Sequence, residues 1–207
     1  MRRQRVFLSA VLAGICIALG GTVYLSLENR IAGAVLFTGG LFTICTQGFH
    51  LFTGKVCYIF SNGPAYALDL PVIWLGNLCG AALTAWLERR TRIGGALAER
   101  AEALCRAKAE DSFLSILILA VFCNILIYIA VEGFRGEAHP LGKYLSLFFG
   151  VAVFLLSGFE HCVAAMYYGS VAGAWSVSML LRLLVMTLGN ALGGILFPLA
   201  RRLCAGA

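Results

Sequence analysis

Two long stretches without a charged residue constrain this chain more than any other feature of its sequence. Residues 6–27 and 112–131 are uncharged throughout, and each reaches the roughly 20 residues that an α-helix needs to cross about 30 Å of hydrocarbon. The whole chain is 60% hydrophobic and 13% charged, whereas a soluble domain carries about 25% charged residues. These features predict an all-α integral membrane protein.

The remaining hydrophobic segments predict six transmembrane helices in a single domain, residues 1–207. Arginines precede the first segment as in a secretory signal, but its apolar core is too long for one, so a retained helix is predicted. The predicted spans are residues 6–27, 31–60, 70–87, 112–131, 144–180 and 183–200. Residues 88–111 are rich in Ala, Glu and Arg; they are predicted to be a solvated charged connection containing a short surface helix.

The second and fifth predicted spans are too long to be single straight helices. At 1.5 Å per residue, residues 144–180 would extend over about 55 Å, far more than a bilayer core. Both spans contain polar or small residues near their middle, at Gly48-Phe49-His50 and at Gly158-Phe159-Glu160-His161. We expect both helices to break at these positions.

Two motifs occur twice in the same order and predict an internal repeat. Residues 75–83 and 188–196 share the pattern L-G-N-x-x-G-x-x-L at an offset of 113, and Gly-Phe at 48–49 recurs at 158–159 at an offset of 110. Because each copy holds three spans, the second copy enters the membrane from the opposite side, which gives inverted repeats over about 6–87 and 112–200. In such folds broken helices meet near the midplane and form a transport site.

Charge and cysteine content exclude several classes of site. The net charge of +6 comes from basic residues at span ends and in one loop, which is usual for membrane helices. The eight cysteines contain no C-x-x-C pair and no His/Cys spacing suited to zinc. We therefore expect no metal, no cofactor and no nucleic-acid partner.

Ionisable and amide side chains inside the spans are the candidate functional residues. Glu160 and His161 lie deep in an apolar segment, where such groups are costly and usually functional; the alternative is that they only hold helices together. Asn77, Asn124 and Asn190 are more typical of hydrogen bonds between helices than of a pore lining. Two more polar residues, His50 and Lys55, either line a vestibule or extend towards an interface.

Several of these residues belong to motifs of a known family. Residues 158–166 (GFEHCVAAM) resemble G-F-E-H-S-x-A-N-M, the fifth-helix motif of the formate/nitrite transporter family of pentameric anion channels. Residues 51–54 (LFTG) resemble the L-F-T-[GS] of the loop that breaks its second helix. Residues 123–131 are similar to its fourth-helix C-N-x-L-V-x-x-A-V, and residues 188–194 to its sixth-helix L-G-N-x-x-G-G. These motifs keep the family order and cover essentially the whole chain.

The resemblance implies an aquaporin-like protomer that is not an enzyme, and it assigns roles to residues. His161 matches the central pore histidine, and Thr53 the threonine that faces it. Apolar constrictions are implied at Phe37, Leu41, Leu51, Phe52 and Phe154. Attraction of anions is implied for Arg5, Lys55 and Lys143, and a polar network for His50, Asn124, Glu160 and Asn190.

Three departures from the family pattern bear on the substrate. His50 stands where an acidic residue is usual, Lys55 where a small or amide residue is usual, and Ala165 where an Asn is usual. They alter the hydrogen bonds around His161 and add positive charge near the pathway. The expected function is passive or proton-coupled passage of small monovalent weak-acid anions, with formate ahead of nitrite and hydrosulfide.

The expected mechanism removes or stabilises the charge of the anion. Transfer of a bare anion through apolar constrictions costs many kcal/mol, so His161 is expected to give a proton or a strong hydrogen bond to an anion held near Thr53. The implied partners are the anion, protons, the lipid bilayer and further copies in a homopentamer. The family places both termini in the cytoplasm, with the protein in a prokaryotic inner membrane, whereas basic residues are spread too evenly to set an orientation.

Three other classes of function are considered. A neutral-solute channel of the aquaporin type would carry two Asn-Pro-Ala motifs, and the chain has none. A membrane-embedded enzyme would need a third partner for Glu160 and His161, and His139 lies in a loop beside Pro140. A non-transporting structural or receptor protein would tolerate neutral replacement of His161.

Overall fold

The computed structural model describes residues 2–136 and 138–205, and within these ranges the chain is helical with short connections and no strand. The all-α prediction is therefore confirmed. The helices are α1 (Arg2–Ser26), α2 (Arg30–Gln47), α3 (Phe52–Val56), a 3₁₀ turn (Ile59–Ser61), α4 (Pro64–Ala67), α5 (Leu70–Glu88), α6 (Gly94–Glu110), α7 (Phe113–Gly136), α8 (Pro140–Leu156), α9 (Cys162–Ala172) and α10 (Val177–Ala205).

Within the described residues, four helical segments are long and apolar enough to cross a membrane. They are Arg2–Ser26, Pro64–Glu88, Phe113–Gly136 and Val177–Cys204. Two shorter apolar helices, α8 and α9, accompany them. Many large apolar side chains on the long helices are exposed, such as Leu8, Leu114 and Leu184, which is stable only in a lipid environment or against further protein.

Residues 31–60 and 144–180 are each divided among several elements. The chain leaves α2 after Gln47 and enters α3 at Phe52; it leaves α8 after Leu156 and enters α9 at Cys162. Gly48 and Gly158 each have a φ of 71°, in the left-handed region that glycine adopts without steric cost. Gly48 is the C-cap residue of α2, whereas the C-cap residue of α8 is Ser157 and Gly158 follows it.

Two predicted span boundaries differ from the ends of the helices, because hydropathy does not register where a helix begins and ends. The fifth predicted span ran to residue 180, but α9 ends at Ala172, followed by Gly173 with a φ of 70°. Ser176 then caps α10, since its Oγ accepts from the Met179 N–H at 3.1 Å. The fourth predicted span ended at residue 131, but α7 continues to Gly136.

The connection at residues 88–111 differs from the predicted solvated segment. It contains α6, whose residues Leu97, Ala101 and Cys105 recur every fourth position and are buried, and α6 packs on α9. Side chains four apart share one face of a helix. Only the opposite face of α6 is therefore solvated.

The helices pack as two sets with matching contacts. In the first set α1 contacts α2 and α5, and in the second α7 contacts α8 and α10. The backbones approach closely where glycine removes the side chain: a β-carbon at Gly80 would overlap the carbonyl oxygen of Val11, and one at Gly193 would overlap that of Val121.

Ion pairs and hydrogen bonds define two ends of the bundle. At the end where α1 begins and α10 finishes, Arg2 forms an ion pair with Asp69, which directly precedes α5. At the same end Arg201 Nη1 lies 3.5 Å from Glu132 Oε2 on α7. We call this the terminal end. The opposite end holds α6, where Arg182 Nη1 donates to the Asp111 carbonyl at 2.5 Å; we call it the α6 end.

Candidate functional site

An asparagine on α5 fixes the segment between α2 and α3. Asn77 is fully buried. Its Nδ2 donates to the carbonyl oxygens of Ala10 at 2.8 Å and His50 at 2.9 Å, and its Oδ1 accepts from the Phe52 N–H at 2.8 Å. One side chain thus ties α1 and α5 to a backbone that is not helical at this point.

A second asparagine, on α10, makes the same bonds to the segment between α8 and α9. Asn190 Nδ2 donates to the carbonyl oxygens of Ala120 and Glu160, both at 2.8 Å, and its Oδ1 accepts from the Cys162 N–H at 2.9 Å. The three partners each lie 110 residues after the corresponding partner of the first asparagine. The same set of hydrogen bonds therefore occurs twice in the chain.

The starts of α3 and α9 bring one polar pair together in the interior. Thr53 Oγ1 lies 3.0 Å from His161 Nε2, and both residues are almost completely buried. His161 also caps α9, because its Nδ1 accepts from the Ala164 N–H at 3.1 Å. An accepting Nδ1 places the proton of the neutral imidazole on Nε2, so Nε2–H donates to the Thr53 hydroxyl oxygen.

Aromatic and aliphatic side chains surround this pair. The Phe154 ring stacks on the His161 ring with centroids 5.6 Å apart, and the Phe37 ring meets Phe154 edge-on at 6.2 Å. Leu41 and Leu51 are also buried. The polar pair is therefore enclosed mainly by apolar groups.

A cavity of about 280 Å³ opens on the terminal end of the bundle. We call it the terminal-end cavity. Its inner wall includes Leu41, Leu51 and Gly54, and its polar lining includes Lys55 and Arg135. Because Gly54 directly follows Thr53, this cavity ends next to the buried pair.

A second cavity, of about 300 Å³, opens on the α6 end. We call it the α6-end cavity. Its lining includes Gly158 and Glu160, and Glu160 directly precedes His161. Lys108 of α6 donates to both carboxylate oxygens of Glu160, at 2.7 and 2.6 Å. The polar pair thus lies between two cavities that open at opposite ends.

Three other predicted site residues lie near the buried pair or near the broken second helix. Asn124 Nδ2 donates to the carbonyl oxygens of Thr53 and Asn190, at 3.1 and 2.6 Å. It therefore joins α7 to α3 and to α10. His50 Nδ1 and Ser9 Oγ are 2.6 Å apart. Phe52 is buried and does not line either cavity.

Two predicted anion-attracting residues lie away from both cavities, and two unpredicted residues line them. Arg5 and Lys143 are not part of either lining, whereas Arg135 lines the terminal-end cavity and Lys108 the α6-end cavity. Sequence reasoning missed both because a basic residue at the end of a span usually faces the interface. One sequence signal did point to Lys108: it follows Cys105 by three residues, which places it on the buried side of α6.

Replacing Asn190 with alanine should lower the free energy of unfolding by about 2–4 kcal/mol, because the buried Glu160 carbonyl and Cys162 N–H lose their partner and the Ala120 carbonyl loses its second donor. The measurement is thermal unfolding of the detergent-purified protein. Asn62→Ala is the matched control, since Asn62 is exposed and makes one local bond to Tyr58. Equal melting temperatures for the two variants would contradict this role of Asn190.

A helical bundle with cavities at both ends and a buried polar pair between them defines a membrane channel or transporter. The chain belongs to the formate/nitrite transporter family: the family model described as "Formate/nitrite transporter" matches residues 1–201. It is accordingly a multi-pass membrane protein of a family of anion channels and transporters.

Relatives and solved structures agree with this assignment. The chain is 29% identical over 184 residues to an uncharacterized transporter, YrhG, of Bacillus subtilis, covering 82% of this chain and 69% of that protein. It is 29% identical over 232 residues to formate-nitrite transporter 3 of Toxoplasma gondii, covering 94% of this chain and 45% of that protein, so it spans less than half of the latter. A solved structure titled "Pentameric formate channel with formate bound" superposes with a TM-score of 0.86 at 25% identity, covering 99% of this chain and 97% of that one.

Proposed function

We propose that this protein is a passive or proton-coupled channel for small monovalent weak-acid anions, with formate as its leading substrate. The observation that carries the proposal is the Thr53–His161 pair, buried between the two cavities. Similarity to a solved formate channel favours formate. A relative named for both formate and nitrite makes nitrite the alternative.

The proposed pathway runs from one cavity to the other past the Thr53–His161 pair. Phe37, Leu41, Leu51 and Phe154 would form its apolar constrictions, since all four are buried, Leu41 and Leu51 line the terminal-end cavity, and Phe154 stacks on His161. The proposed architecture is six spans in two inverted repeats, in which the second and fifth helices are broken. The duplicated bonds of the two asparagines support this arrangement.

His161 would act mainly as a hydrogen-bond donor. Its Nδ1 is occupied by the Ala164 N–H, so Nε2–H is the group available to an anion. A carboxylate that enters between His161 and Thr53 would accept from Nε2–H and from the Thr53 hydroxyl, in place of the bond that these two groups make with each other. Two such charge-assisted bonds offset part of the desolvation cost of the anion.

The proposed surroundings follow the family. We propose that five copies form a homopentamer, as in the pentameric formate channel to which the chain is similar, in the cytoplasmic membrane of a prokaryote with both termini in the cytoplasm. Lipid would cover the exposed apolar faces of the long helices. Arg5 and Lys143 would attract anions from outside the two cavities, in agreement with their place near the terminal end.

Flux measurements on purified protein in liposomes test this function. Formate, nitrite, hydrosulfide, acetate and chloride are compared at two external pH values. We expect formate flux to exceed chloride flux by at least about tenfold, because a bare chloride ion cannot be neutralised on the way. Proton coupling predicts that formate flux rises as the external pH falls; a passive anion channel predicts little change. Permeation of glycerol or water with no anion flux would overturn the proposal in favour of a neutral-solute channel.

A further inference from the structure

We propose that Lys55 and Arg135 form a binding site for small dianions in the terminal-end cavity, and that a bound dianion blocks passage of the substrate from that end. Binding follows from the charges of the cavity alone. The block rests in addition on the proposed transport function.

Among the residues that the structure describes, the lining of the terminal-end cavity carries two positive charges and no negative one. Its lining residues other than Lys55 and Arg135 are all uncharged. Across the residues that the structure describes, neither cation has a carboxylate within ion-pairing distance. Glu132 attracts Arg135 electrostatically, but its carboxylate oxygens have other partners: Oε1 accepts from the Tyr58 hydroxyl at 2.7 Å, and Oε2 lies 3.5 Å from Arg201.

The two cations line the same cavity. The guanidinium of Arg135 lies 4.7 Å from the centre of the Tyr58 ring, and the carbonyl oxygen of Lys55 accepts from the Tyr66 hydroxyl at 2.7 Å. Their positive charges repel each other. An anion bound between them would relieve this repulsion, and two negative charges would do so better than one. Because the Arg135 guanidinium already lies against the Tyr58 ring, it needs little ordering on binding.

The α6-end cavity has no excess of positive charge. Its lining contains two cations, Arg30 and Lys108, and two carboxylates, Asp111 and Glu160. Lys108 and Glu160 neutralise each other through two short hydrogen bonds. A dianion therefore has a reason to bind at the terminal end and none at the α6 end.

Size and polarity explain why a bound dianion would stop there. A volume of about 280 Å³ is several times the roughly 30 Å³ that one water occupies in the liquid, so a small dicarboxylate fits with part of its hydration. Its way inward is closed by Leu41 and Leu51, each 1% exposed. Desolvating two charges costs far more than desolvating one. The dianion thus occupies the entrance without crossing.

Oxalate, which carries two ionised carboxyl groups at neutral pH, is the probe. Calorimetry on the detergent-purified protein measures binding, and formate flux into liposomes measures the block. We expect saturable binding and inhibition, and a half-inhibiting concentration at least about tenfold higher in Lys55→Gln and in Arg135→Gln, each of which removes one charge contact. Lys55→Arg should restore the wild-type value. Arg202→Gln, which removes an exposed cation at the same end outside the cavity, should leave it within about twofold.

The side of action is tested with liposomes sorted by accessibility of an N-terminal epitope. Oxalate outside should inhibit only those in which the epitope, and hence the terminal end, faces outwards. Equal inhibition from both sides, or equal inhibition of the wild type and both glutamine variants, would overturn the site. Oxalate binding that depends on Lys55 in a protein without any anion flux would support the site and overturn the proposed function. Formate flux without oxalate binding would support the proposed function and overturn the site.

Discussion

Replacing Gly193 with alanine should prevent α10 from reaching its packed position against α7. A β-carbon at this position would overlap the carbonyl oxygen of Val121 and lie 2.9 Å from its carbonyl carbon. Overpacking of a core usually costs about 1–3 kcal/mol, and the obstacle here is a helix backbone, which cannot rotate away as a side chain can. We expect a loss of at least about 3 kcal/mol in the free energy of unfolding, or failure to obtain folded protein. Thermal unfolding and size-exclusion profiles in detergent measure it.

Gly39→Ala is the matched control for this change. Gly39 is also inside a helix, but a β-carbon added there would have no atom within 4 Å. Alanine favours the helix over glycine by roughly 0.5–1 kcal/mol, so this variant should be as stable as the wild type or slightly more stable. If Gly193→Ala unfolded at the same temperature as Gly39→Ala, the close approach of α7 and α10 would not contribute as described.

Replacing His161 with asparagine should reduce formate flux by about 10- to 100-fold while leaving the protein folded. Asparagine is a favourable N-cap, so its side chain can accept from the Ala164 N–H as His161 does. It does not extend to the place of Nε2, and the donor opposite Thr53 is lost. A hydrogen bond to a charged group contributes about 1.5–3 kcal/mol, which corresponds to this range of rates.

Two further variants separate the pore role of the pair from its role in folding. Thr53→Ser retains the hydroxyl and should retain most of the flux; Thr53→Val retains the shape without the hydroxyl and should lower it. Unfolding temperatures are measured beside the rates in liposomes. Unchanged flux and pH dependence in His161→Asn would refute the proposed mechanism, and parallel loss of flux and stability in all variants would assign the pair to folding alone.

The membrane class could be predicted from the sequence because it depends on local composition. An uncharged stretch such as residues 112–131 has few stable environments other than hydrocarbon, wherever it lies in a fold. Its end could not be predicted with equal success. α7 continues past residue 131 through Glu132 and Arg135 to Gly136, since a helix can leave the apolar layer without ending.

The candidate site depends on contacts that no local pattern contains. Thr53 and His161 are 108 residues apart in sequence, and only the resemblance to a family implied that they face each other. Likewise, Arg135 and Arg202 are both basic residues near the end of a long helix, but only Arg135 lines a cavity. Tertiary packing, which hydropathy does not encode, decides which of two such cations meets an anion.

The bonds of the two asparagines have a consequence for which substitutions the chain can accept. Asn77 and Asn190 donate to the backbone carbonyl oxygens of residues 50 and 160. These bonds do not involve the side chains of the two residues. A point mutation at either position can therefore change the side chain beside the broken helix while the hydrogen bonds that hold the backbone there remain. The side chains at these two positions can therefore differ in charge, as His50 and Glu160 do, above the same backbone support.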